Sequence, residues 1–260
     1  MIMRLARVLT FTFGLAFVLV PIMVSYAAVN PNSAVGVWLL DEGAGDVAGD
    51  STGNGNDGLI EVATWASGRF GQALSFEGDA SVTIESADRL NNGGQYTLMA
   101  YFNSNVLNDW HQVIAKDGQY LLRIDPPSEG GSMSSFVNLD GGWEPRASAF
   151  VPEVDTWYHY AATYDSGTGK LTVFVDGAKA GESDRVGNAA ANDNPVTIGH
   201  WGGGSRFRGL IDEVAIFDVA LSEADIKSIA DNGLVAALGL GGPTSVKPSG
   251  KVTTTWGDLK

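Results

Sequence analysis

Short runs of aromatic and β-branched residues, separated by glycine-rich turns, recur along most of this chain and restrict the folds open to it. The sequence holds 34 glycines in 260 residues, and Asp-Gly or Asn-Gly pairs fall between many of the apolar runs. Pairs of this kind favour the tight turns that join neighbouring antiparallel strands. The pattern therefore predicts a mostly β protein built from hairpins.

The clearest hairpin lies in the second half of the chain. The apolar runs 157–164 and 171–175 are joined by the glycine-rich turn 165–169. Alternate residues of the second run, Leu171 and Val175 among them, share one face of a strand, as expected of a strand with one buried side. This is the strongest hairpin signal in the sequence.

Further strands are predicted by similar runs at 35–40, 73–76, 81–84, 96–102, 112–115, 120–124, 135–139, 196–198 and 210–217. Helical spacing of apolar residues is convincing only at 223–232, where Ser222 and Asp225 form a capping-box-like pair and Gly233 is placed to end the helix. Many strands and one late helix predict an all-β fold: a two-sheet antiparallel β-sandwich, or jelly roll, with one short C-terminal helix.

The first 27 residues differ in kind from the rest. Arg4 and Arg7 precede the apolar stretch 8–24, and the small residues of 25–27 suit a cleavage site. This arrangement predicts a secretory signal peptide over 1–27, and hence a protein that is secreted or held in a periplasm or cell envelope. A retained membrane anchor is the alternative, because the apolar stretch is nearly long enough to cross a bilayer. Once the signal is cleaved, no stable membrane span is predicted.

After the signal, one domain is predicted over 28–238, followed by a linker and C-terminal tail over 239–260 that begins rich in glycine, proline and serine. The net charge of −14 predicts an acidic surface. Such a surface repels phosphate backbones, so no nucleic-acid partner is expected. The chain has no cysteine, so an exported domain of this sequence depends on its core, and on any metal it holds, for stability.

Six segments, in order, resemble laminin-G-like jelly-roll domains of the concanavalin A-like lectin/glucanase superfamily. The motifs are VWLLDEG at 37–43 with DSTGNGNDG at 50–58, FGQALSFEG at 70–78, TWYHYA at 156–161, LTVFVDG at 171–177, FRGLIDEV at 207–214 and LSEADI at 221–226. Trp38 and Trp157 lie within these motifs and are interpreted as core residues. The resemblance implies the sandwich fold. Members serve as lectins, adhesion or envelope proteins and accessories to glycoside hydrolases, so it implies binding without choosing a ligand.

The resemblance also implies a structural calcium ion, Ca2+. In many members an aspartate that begins a late strand holds calcium beside the first strand, and Asp212 and Asp41 resemble residues at those two places. The alternative is that Asp212 only accepts backbone N–H bonds. Asp50 opens a loop whose polar residues fall at EF-hand-like positions, but no helices flank it, so a turn held by its own side chains is favoured. Asp50 is kept as a third candidate ligand of the cation.

Motifs for catalysis are missing from the sequence. Laminarinase-like hydrolases of this fold carry their acids as Glu-x-Asp-x-x-Glu on one strand, and no such run occurs here. There is also no G-x-S-x-G motif and no cysteine nucleophile. The adjacent carboxylates at 41–42 and 212–213 point to opposite sides of a strand, whereas glycoside hydrolysis needs two that face across a cleft. We therefore predict that the protein is not an enzyme.

Tryptophans in polar, glycine-rich segments are the candidate ligand-binding residues. Trp110, Trp143 and Trp201 each could stack on a sugar face, or could plug one end of the sandwich. Arg206, beside Trp201, could bind a carboxylate or pair with a surface acid. We predict an exported, non-catalytic module that binds carbohydrate. The alternative is a structural or protein-interaction module, adhesive or part of the envelope, whose partner is a cell-surface or envelope protein.

Overall fold

The computed structural model of the protein describes residues 29–202 and 204–240. The predicted signal peptide, 1–27, and the part of the predicted linker and tail from 241 to 260 lie outside the described residues. In chain order the strands are β1 (Ala34–Trp38), β2 (Val47–Ala48), β3 (Gly58–Glu61), β4 (Thr64–Ser67), β5 (Gln72–Phe76), β6 (Ser81–Ile84), β7 (Gln95–Ser104), β8 (His111–Lys116), β9 (Tyr120–Ile124), β10 (Met133–Val137), β11 (Ala147–Ser148), β12 (Trp157–Asp165), β13 (Lys170–Val175), β14 (Ala178–Asp184), β15 (Val196–Ile198), β16 (His200–Trp201), β17 (Ser205–Arg206) and β18 (Gly209–Phe217). One α-helix, α1 (Glu223–Leu238), and three 3-10 turns (Pro31–Ser33, Asp88–Leu90 and Pro127–Glu129) complete the described part.

The strands form two eight-stranded antiparallel sheets that enclose one core, together with a separate two-stranded ribbon. The first sheet has the order β14–β13–β12–β7–β18–β5–β4, and β1 pairs with the remaining part of β18. The second sheet has the order β11–β10–β9–β8–β15–β6–β3–β2, and β16 and β17 form the ribbon. The predicted all-β sandwich is therefore confirmed.

Aromatic side chains from both sheets fill the space between them. The ring of Tyr96 lies 5.2 Å from that of Tyr120 and 5.6 Å from that of Tyr164, measured between centroids. Trp38 is fully buried, as predicted, and its Nε1 donates to the carbonyl oxygen of Asn56 at 2.8 Å. A buried indole N–H needs a partner, so this bond fixes β1 to the loop that follows it. Trp157, the other predicted core tryptophan, is half-buried at the start of β12.

Helix α1 covers the outer face of the first sheet. Ile226, Ile229 and Leu234 of the helix are buried in one cluster with Met99 and Ala215 of the sheet. The apolar spacing that predicted the helix therefore marks the side that faces the sheet. Within the described residues, no helix has the length and apolar composition needed to cross a membrane.

Gly233 interrupts α1 where the sequence predicted its end, and helical structure then resumes. The capping box at its start is present, Gly233 adopts the non-helical φ of 79° and ψ of 166°, and a second helical stretch continues beyond this kink to Leu238. The amide of Leu234 donates to the buried carboxylate of Glu213 at 2.8 Å. This contact supplies a partner for an N–H that the kink removes from the helical pattern, so the helix can restart.

Several short strands are missing from the sequence prediction. The longest, β14, reads Ala-Lys-Ala-Gly-Glu-Ser-Asp and is exposed over most of its length. It has no β-branched residue and forms because β13 offers a backbone to pair with. Edge strands of this kind depend on their partner more than on their own composition. The strands that were predicted differ from the structure by at most two residues at either end.

Two histidines are buried without hydrogen-bond partners for their rings. Neither ring nitrogen of His111 or of His159 has a partner among the described residues. Burial lowers the pKa of His159 to about 3 and the pKa of His111 to about 4. Both rings are therefore neutral at pH 7.

We expect His159 to make the fold less stable in mild acid. In the unfolded chain a histidine binds a proton near pH 6.5, whereas this buried ring stays neutral down to about pH 3. Between these values the unfolded state holds more protons, so the free energy of unfolding falls as pH falls, by about 1.4 kcal/mol for each pH unit. Thermal unfolding followed by circular dichroism should show a smaller loss of Tm between about pH 7.5 and about pH 5 in His159→Phe than in the wild type.

The wild-type comparison separates the histidine from other groups that titrate in this range. His200→Phe serves as a second reference, because His200 is only half-buried and its ring should contribute less to the pH dependence. An identical pH dependence in His159→Phe and wild type would contradict the prediction.

Candidate functional site

An apolar row runs across the outer face of the second sheet. Phe136 of β10 stands opposite Leu121 of β9, and Leu121 stands opposite Ala115 of β8. Side chains paired across strands point to the same face, while the alternate residues Tyr120 and Leu122 belong to the core. The row is therefore directed away from the core. We call the surface built on it the outer face.

Two of the predicted ligand-binding tryptophans pack on this row. Trp143 and Trp201 are both half-buried against the cluster of Ala115, Leu121 and Phe136. Their rings meet edge to face, with centroids 6.0 Å apart and planes at 76°. The pair offers flat apolar surfaces set at an angle on a rigid sheet.

A tight turn presents Trp143. Leu139 and Gly142 exchange two backbone hydrogen bonds, of 3.0 and 2.9 Å. Between them Asp140 and Gly141 adopt left-handed backbone conformations, with φ of 51° and 80°. An Asp-Gly pair is suited to a turn that needs positive φ at both central positions. The sequence therefore fixes the geometry of the turn directly before Trp143.

Arg185 anchors the segment that carries Trp143. Its guanidinium donates to the carbonyl oxygens of Val137 at 2.8 Å and of Gly142 at 2.6 Å, and also to that of Glu144. The Arg185 side chain is almost fully buried. Arginine carries five donors in a fixed fork, so one side chain can hold several carbonyls of a loop at once. Arg185 is therefore a positioning residue for Trp143.

The β16–β17 ribbon presents Trp201. In the ribbon, His200 pairs with Arg206 and Trp201 pairs with Ser205. The hydroxyl of Thr197 in β15 donates to the carbonyl oxygen of His200. This bond ties the ribbon to the second sheet and places Trp201 over the outer face.

A cleft of about 330 Å³ lies beside Trp201. Its lining residues are Thr83, Asp117, Asn194, Pro195, Thr197, His200, Trp201 and Gly202. Partial burial and the charge of Arg206 lower the pKa of His200, so its ring is neutral at pH 7. The residues that line the cleft thus include ones with hydroxyl, amide and imidazole side chains, and one with a carboxylate, Asp117.

Two arginines flank Phe136 on the outer face. The guanidinium carbons of Arg123 and Arg146 lie 4.4 and 4.7 Å from the ring centroid. Both arginines bind the carboxylates of Asp125 and Glu129, at distances between 2.5 and 2.9 Å. Contact with the ring and shared carboxylates hold these side chains in one arrangement.

Trp110, the third predicted ligand-binding tryptophan, joins this network from its edge. Its Nε1 donates to the Glu129 carboxylate at 3.1 Å, and 38% of the residue is exposed. Partial burial opposes ionisation of Glu129, but hydrogen bonds from Arg146 and Trp110 outweigh it, so the pKa of Glu129 lies below its usual range. The ionised carboxylate links Trp110 to the arginines around Phe136. The structure thus brings Trp143 and Trp201 together and connects Trp110 to the arginines of the outer face through Glu129.

Arg206, the fourth predicted ligand-binding residue, is already paired. Its guanidinium lies 3.0 Å from the carboxylate of Asp79, and 35% of its side chain is exposed. Its Nε has no hydrogen-bond partner among the described residues. A ligand that approached Arg206 would meet a charge that its neighbour has largely neutralised.

Two of the predicted metal ligands lie at the first sheet, where they hold the turn between β4 and β5. Asp212 accepts the amide of Phe70 at 2.9 Å, and Asp41 accepts the amide of Gln72 at 2.7 Å. Asp212 is fully buried, and its second carboxylate oxygen, Oδ1, has no partner in the described part of the chain. Burial raises the pKa of Asp212 to about 7, although the N–H bond from Phe70 acts in the opposite direction.

Asp50, the third predicted metal ligand, folds its own loop. Its Oδ1 accepts the amide and the hydroxyl of Thr52 at 3.0 and 2.7 Å, and its Oδ2 accepts the amide of Asn56 at 3.1 Å. Oδ1 also accepts the amide of Val37 at 3.2 Å, which ties the loop to β1. These are the bonds of a turn held by its own aspartate. In the described part of the chain, no three or more Asp, Glu, His or Cys side chains are grouped to hold a metal.

Arg123 and Arg146 of the outer face, and Arg185, which anchors its loop, were not predicted from the sequence. One signal was present: Arg123 interrupts the apolar run 120–124, and a charged residue between buried ones in a strand marks the outward side. Arg185 gave no such signal. Its partners are carbonyls more than forty residues earlier in the chain, and any residue type supplies a carbonyl.

The described residues of the cleft lack the carboxyl pair that glycoside hydrolysis requires. That reaction uses two carboxyl groups on either side of the scissile bond. The cleft has one, Asp117, while Asp125 and Glu129 are bound by arginines. Burial raises the pKa of Asp212 and of Glu213 to about 7, but both lie beneath the protein surface at the first sheet.

A laminin-G family model, described as the concanavalin A-like lectin/glucanases superfamily, matches residues 76–227. The chain belongs to this superfamily, as the resemblance of its motifs implied. The matched region contains the apolar row of the outer face and all four predicted ligand-binding residues. No curated protein matches the chain.

Solved structures with the same fold include one domain of an arabinanase and the binding domains of two other proteins. Domain 4 of AbnA, a GH43 extracellular arabinanase from Geobacillus stearothermophilus in complex with arabinotriose, has a TM-score of 0.63 at 20% identity, over 76% of this chain and 98% of that domain. The binding domain of Paraclostridial Mosquitocidal Protein 1 has a TM-score of 0.64 at 12% identity, over 77% of this chain and 52% of that one. The binding domain of Botulinum neurotoxin DC, in complex with rat synaptotagmin II, has a TM-score of 0.58 at 11% identity, over 78% of this chain and 52% of that one. The chain thus spans about half of each toxin domain, and at these identities the likeness establishes the fold alone.

Removing the Arg185 side chain should release the loop that carries Trp143. In Arg185→Met the buried carbonyl of Val137 and the partly buried carbonyls of Gly142 and Glu144 lose the guanidinium as a donor. We expect the free energy of unfolding to fall by about 2 to 4 kcal/mol. The near-ultraviolet circular dichroism of the Trp143–Trp201 pair should also weaken, because that signal requires a fixed ring geometry. Arg208→Met is the control, since Arg208 is exposed. Unchanged urea unfolding and an unchanged spectrum in Arg185→Met would refute the positioning role.

Proposed function

We propose that this chain is a non-catalytic module that binds carbohydrate across the outer face of its second sheet. The observation that carries the proposal is the edge-to-face pair of Trp143 and Trp201, half-buried on an apolar row and beside a polar cleft. Fixed aromatic rings next to polar groups match the two kinds of surface that a sugar presents.

A sugar ring has an apolar face of C–H groups and an edge of hydroxyl groups. An indole ring binds the first by dispersion and removal of apolar area from water. Because Trp143 and Trp201 are already packed against Phe136 and Leu121, little side-chain freedom is lost when a ligand lands on them. The pair is therefore a preorganised surface for stacking.

The cleft supplies the second kind of contact. Thr83, Asn194 and Asp117 line it, and their side chains carry hydroxyl, amide and carboxylate groups. Sugar hydroxyls both donate and accept hydrogen bonds, so mixed donors and acceptors fix their orientation, while the stacking surface supplies much of the affinity. The arabinotriose bound to the arabinanase domain of the same fold supports a sugar ligand for this class of domain.

A second candidate function is a protein-interaction module without a sugar ligand. Phe150, Val151 and Val154 precede β12 and are 51%, 52% and 46% exposed. Exposed apolar residues close together in sequence are typical of protein contacts. The toxin domain of the same fold that is bound to synaptotagmin supports this alternative. It predicts that loss of the tryptophan pair leaves the protein's partner binding intact.

Replacing the stacking residues should remove sugar binding without unfolding the protein. For Trp143→Ala and Trp201→Ala we expect affinity for a bound glycan to fall at least tenfold, because about 1.4 kcal/mol is tenfold in affinity and a stacked aromatic contributes about that amount. Glycan-array screening followed by titration calorimetry of the hits measures the change.

Trp65→Ala is the matched control for this experiment. Trp65 lies in β4 at the edge of the first sheet, where its Nε1 donates to the carbonyl oxygen of Gly45 at 3.1 Å. Its loss should leave glycan affinity unchanged. Equal affinity in the wild type and both outer-face variants would place the sugar elsewhere, and no glycan signal for the wild type would end the carbohydrate proposal.

We also propose that Asp212 and Asp41 hold a structural calcium ion beside the turn between β4 and β5. The support is the fully buried Oδ1 of Asp212, which has no partner among the described residues. A buried carboxylate oxygen without a hydrogen-bond donor is costly, and a bound cation would remove that cost by coordinating it. The remaining ligands would be backbone carbonyls and water. Asp50 is left out of this proposed site, because both of its oxygens already accept hydrogen bonds.

Calcium should raise the unfolding temperature if this site is occupied. At a calcium concentration about a hundredfold above Kd, binding adds about 2.7 kcal/mol, which corresponds to roughly 5 to 10 °C in Tm for a domain of this size. The shift between calcium and EDTA should disappear in Asp212→Asn and persist in Asp79→Asn, whose carboxylate is exposed. A wild-type Tm that is the same in calcium and in EDTA would reject the site.

A further inference from the structure

We infer that the outer face selects neutral sugar chains over acidic ones; this inference rests on the proposed carbohydrate-binding function and narrows its ligand class. The basis is the distribution of charge around Trp143 and Trp201. Recognition of an acidic sugar requires a cation that is free to meet its carboxylate or sulfate group.

Arg123 and Arg146 on the outer face, and Arg206 on the ribbon that carries Trp201, are each paired with carboxylates of the protein. Arg123 and Arg146 share Asp125 and Glu129. The Arg146 guanidinium also lies 2.5 Å from Glu144, and the Arg206 guanidinium lies 3.0 Å from Asp79. Three positive charges thus meet four negative ones. An acidic sugar would have to displace a carboxylate already held at close range, with no net gain of ion pairs.

The charge of the cleft beside Trp201 disfavours an anion. Among its described lining residues the one charged residue is Asp117, and the imidazole of His200 is held neutral by partial burial and by Arg206. A carboxylate repels an acidic sugar but accepts hydrogen bonds from neutral hydroxyl groups. Bonds of that type, with a charged acceptor, are stronger than those between neutral groups.

The whole chain adds to the same discrimination at longer range. Its net charge is −14. An acidic polysaccharide is therefore repelled before contact, most strongly at low ionic strength, while a neutral one is not. Affinity for a neutral ligand should accordingly depend little on salt.

The test is a panel of probes of both kinds, titrated against the protein by calorimetry at low salt and at about 0.3 M NaCl. The neutral probes are linear arabinan, xylan, galactan and mixed-linkage β-glucan. The acidic probes are polygalacturonate, alginate, hyaluronate and sialyllactose. We expect at least one neutral probe to bind, with less than about a twofold change between salts, and every acidic probe to bind at least tenfold more weakly.

Asp117→Asn sharpens the test, because it removes the charge from the cleft and keeps the shape of the side chain. This substitution should lower the affinity for the neutral probe and reduce the ratio of neutral to acidic affinity. Trp201→Ala should weaken both classes without changing their ratio. If the ratio of neutral to acidic affinity is the same in Asp117→Asn as in the wild type, the assigned role of the cleft is overturned.

Two negative outcomes are distinguishable. Tighter binding of an acidic probe, weakened by salt, would overturn the neutral selectivity and leave carbohydrate binding standing. No binding of any probe at either salt concentration would overturn both this inference and the proposed function.

Discussion

The hydroxyl of Tyr164, buried between the two sheets, connects the core of the protein to its outer face. It lies 3.1 Å from the carbonyl oxygen of Arg185 and 2.5 Å from that of Gly187. A buried hydroxyl must find a partner, so the core itself fixes the backbone at these residues. The side chain of Arg185 then holds the segment that carries Trp143. The position of a surface tryptophan is thus set by a hydrogen bond inside the sandwich.

The charged side chains of the outer face hold one another in a fixed geometry and are not free to attract an anion. In an acidic chain the scarce arginines could act as free anion receptors, yet Arg123 and Arg146 stack on Phe136 and share carboxylates. Fixed ion pairs of this kind contribute little net stability but restrict the side chains to one geometry. The result is a rigid surface of rings and paired charges. Such a surface suits recognition by shape, stacking and neutral hydrogen bonds.

The sequence was sufficient for the fold because strand patterns and turn residues are local signals. The spacing of Leu171, Val173 and Val175 and the Ser222 capping box are both signals within a few residues. The structure places those three side chains in the core and forms the capping box, but it also buries residues 172 and 174, so this strand is covered on both sides and not on one. Trp143 and Trp201 were identifiable because indoles in glycine-rich segments are unusual. Their 6.0 Å contact was not predictable, since it joins two segments through β-strand register. Arg185 was hidden for the same reason: its partners are backbone carbonyls brought near only by folding.

The solvent-facing sides of the two sheets are not equivalent, and this limits where a ligand can lie. Helix α1 occupies the outer face of the first sheet, where Ile226 and Leu234 bury Met99 and Ala215. The kink at Gly233 keeps the second half of α1 over that sheet by giving the amide of Leu234 to Glu213. A broad ligand therefore has the outer face of the second sheet left to it among the described surfaces. The aromatic pair and the polar cleft both lie on that side, so topology and chemistry select the same surface.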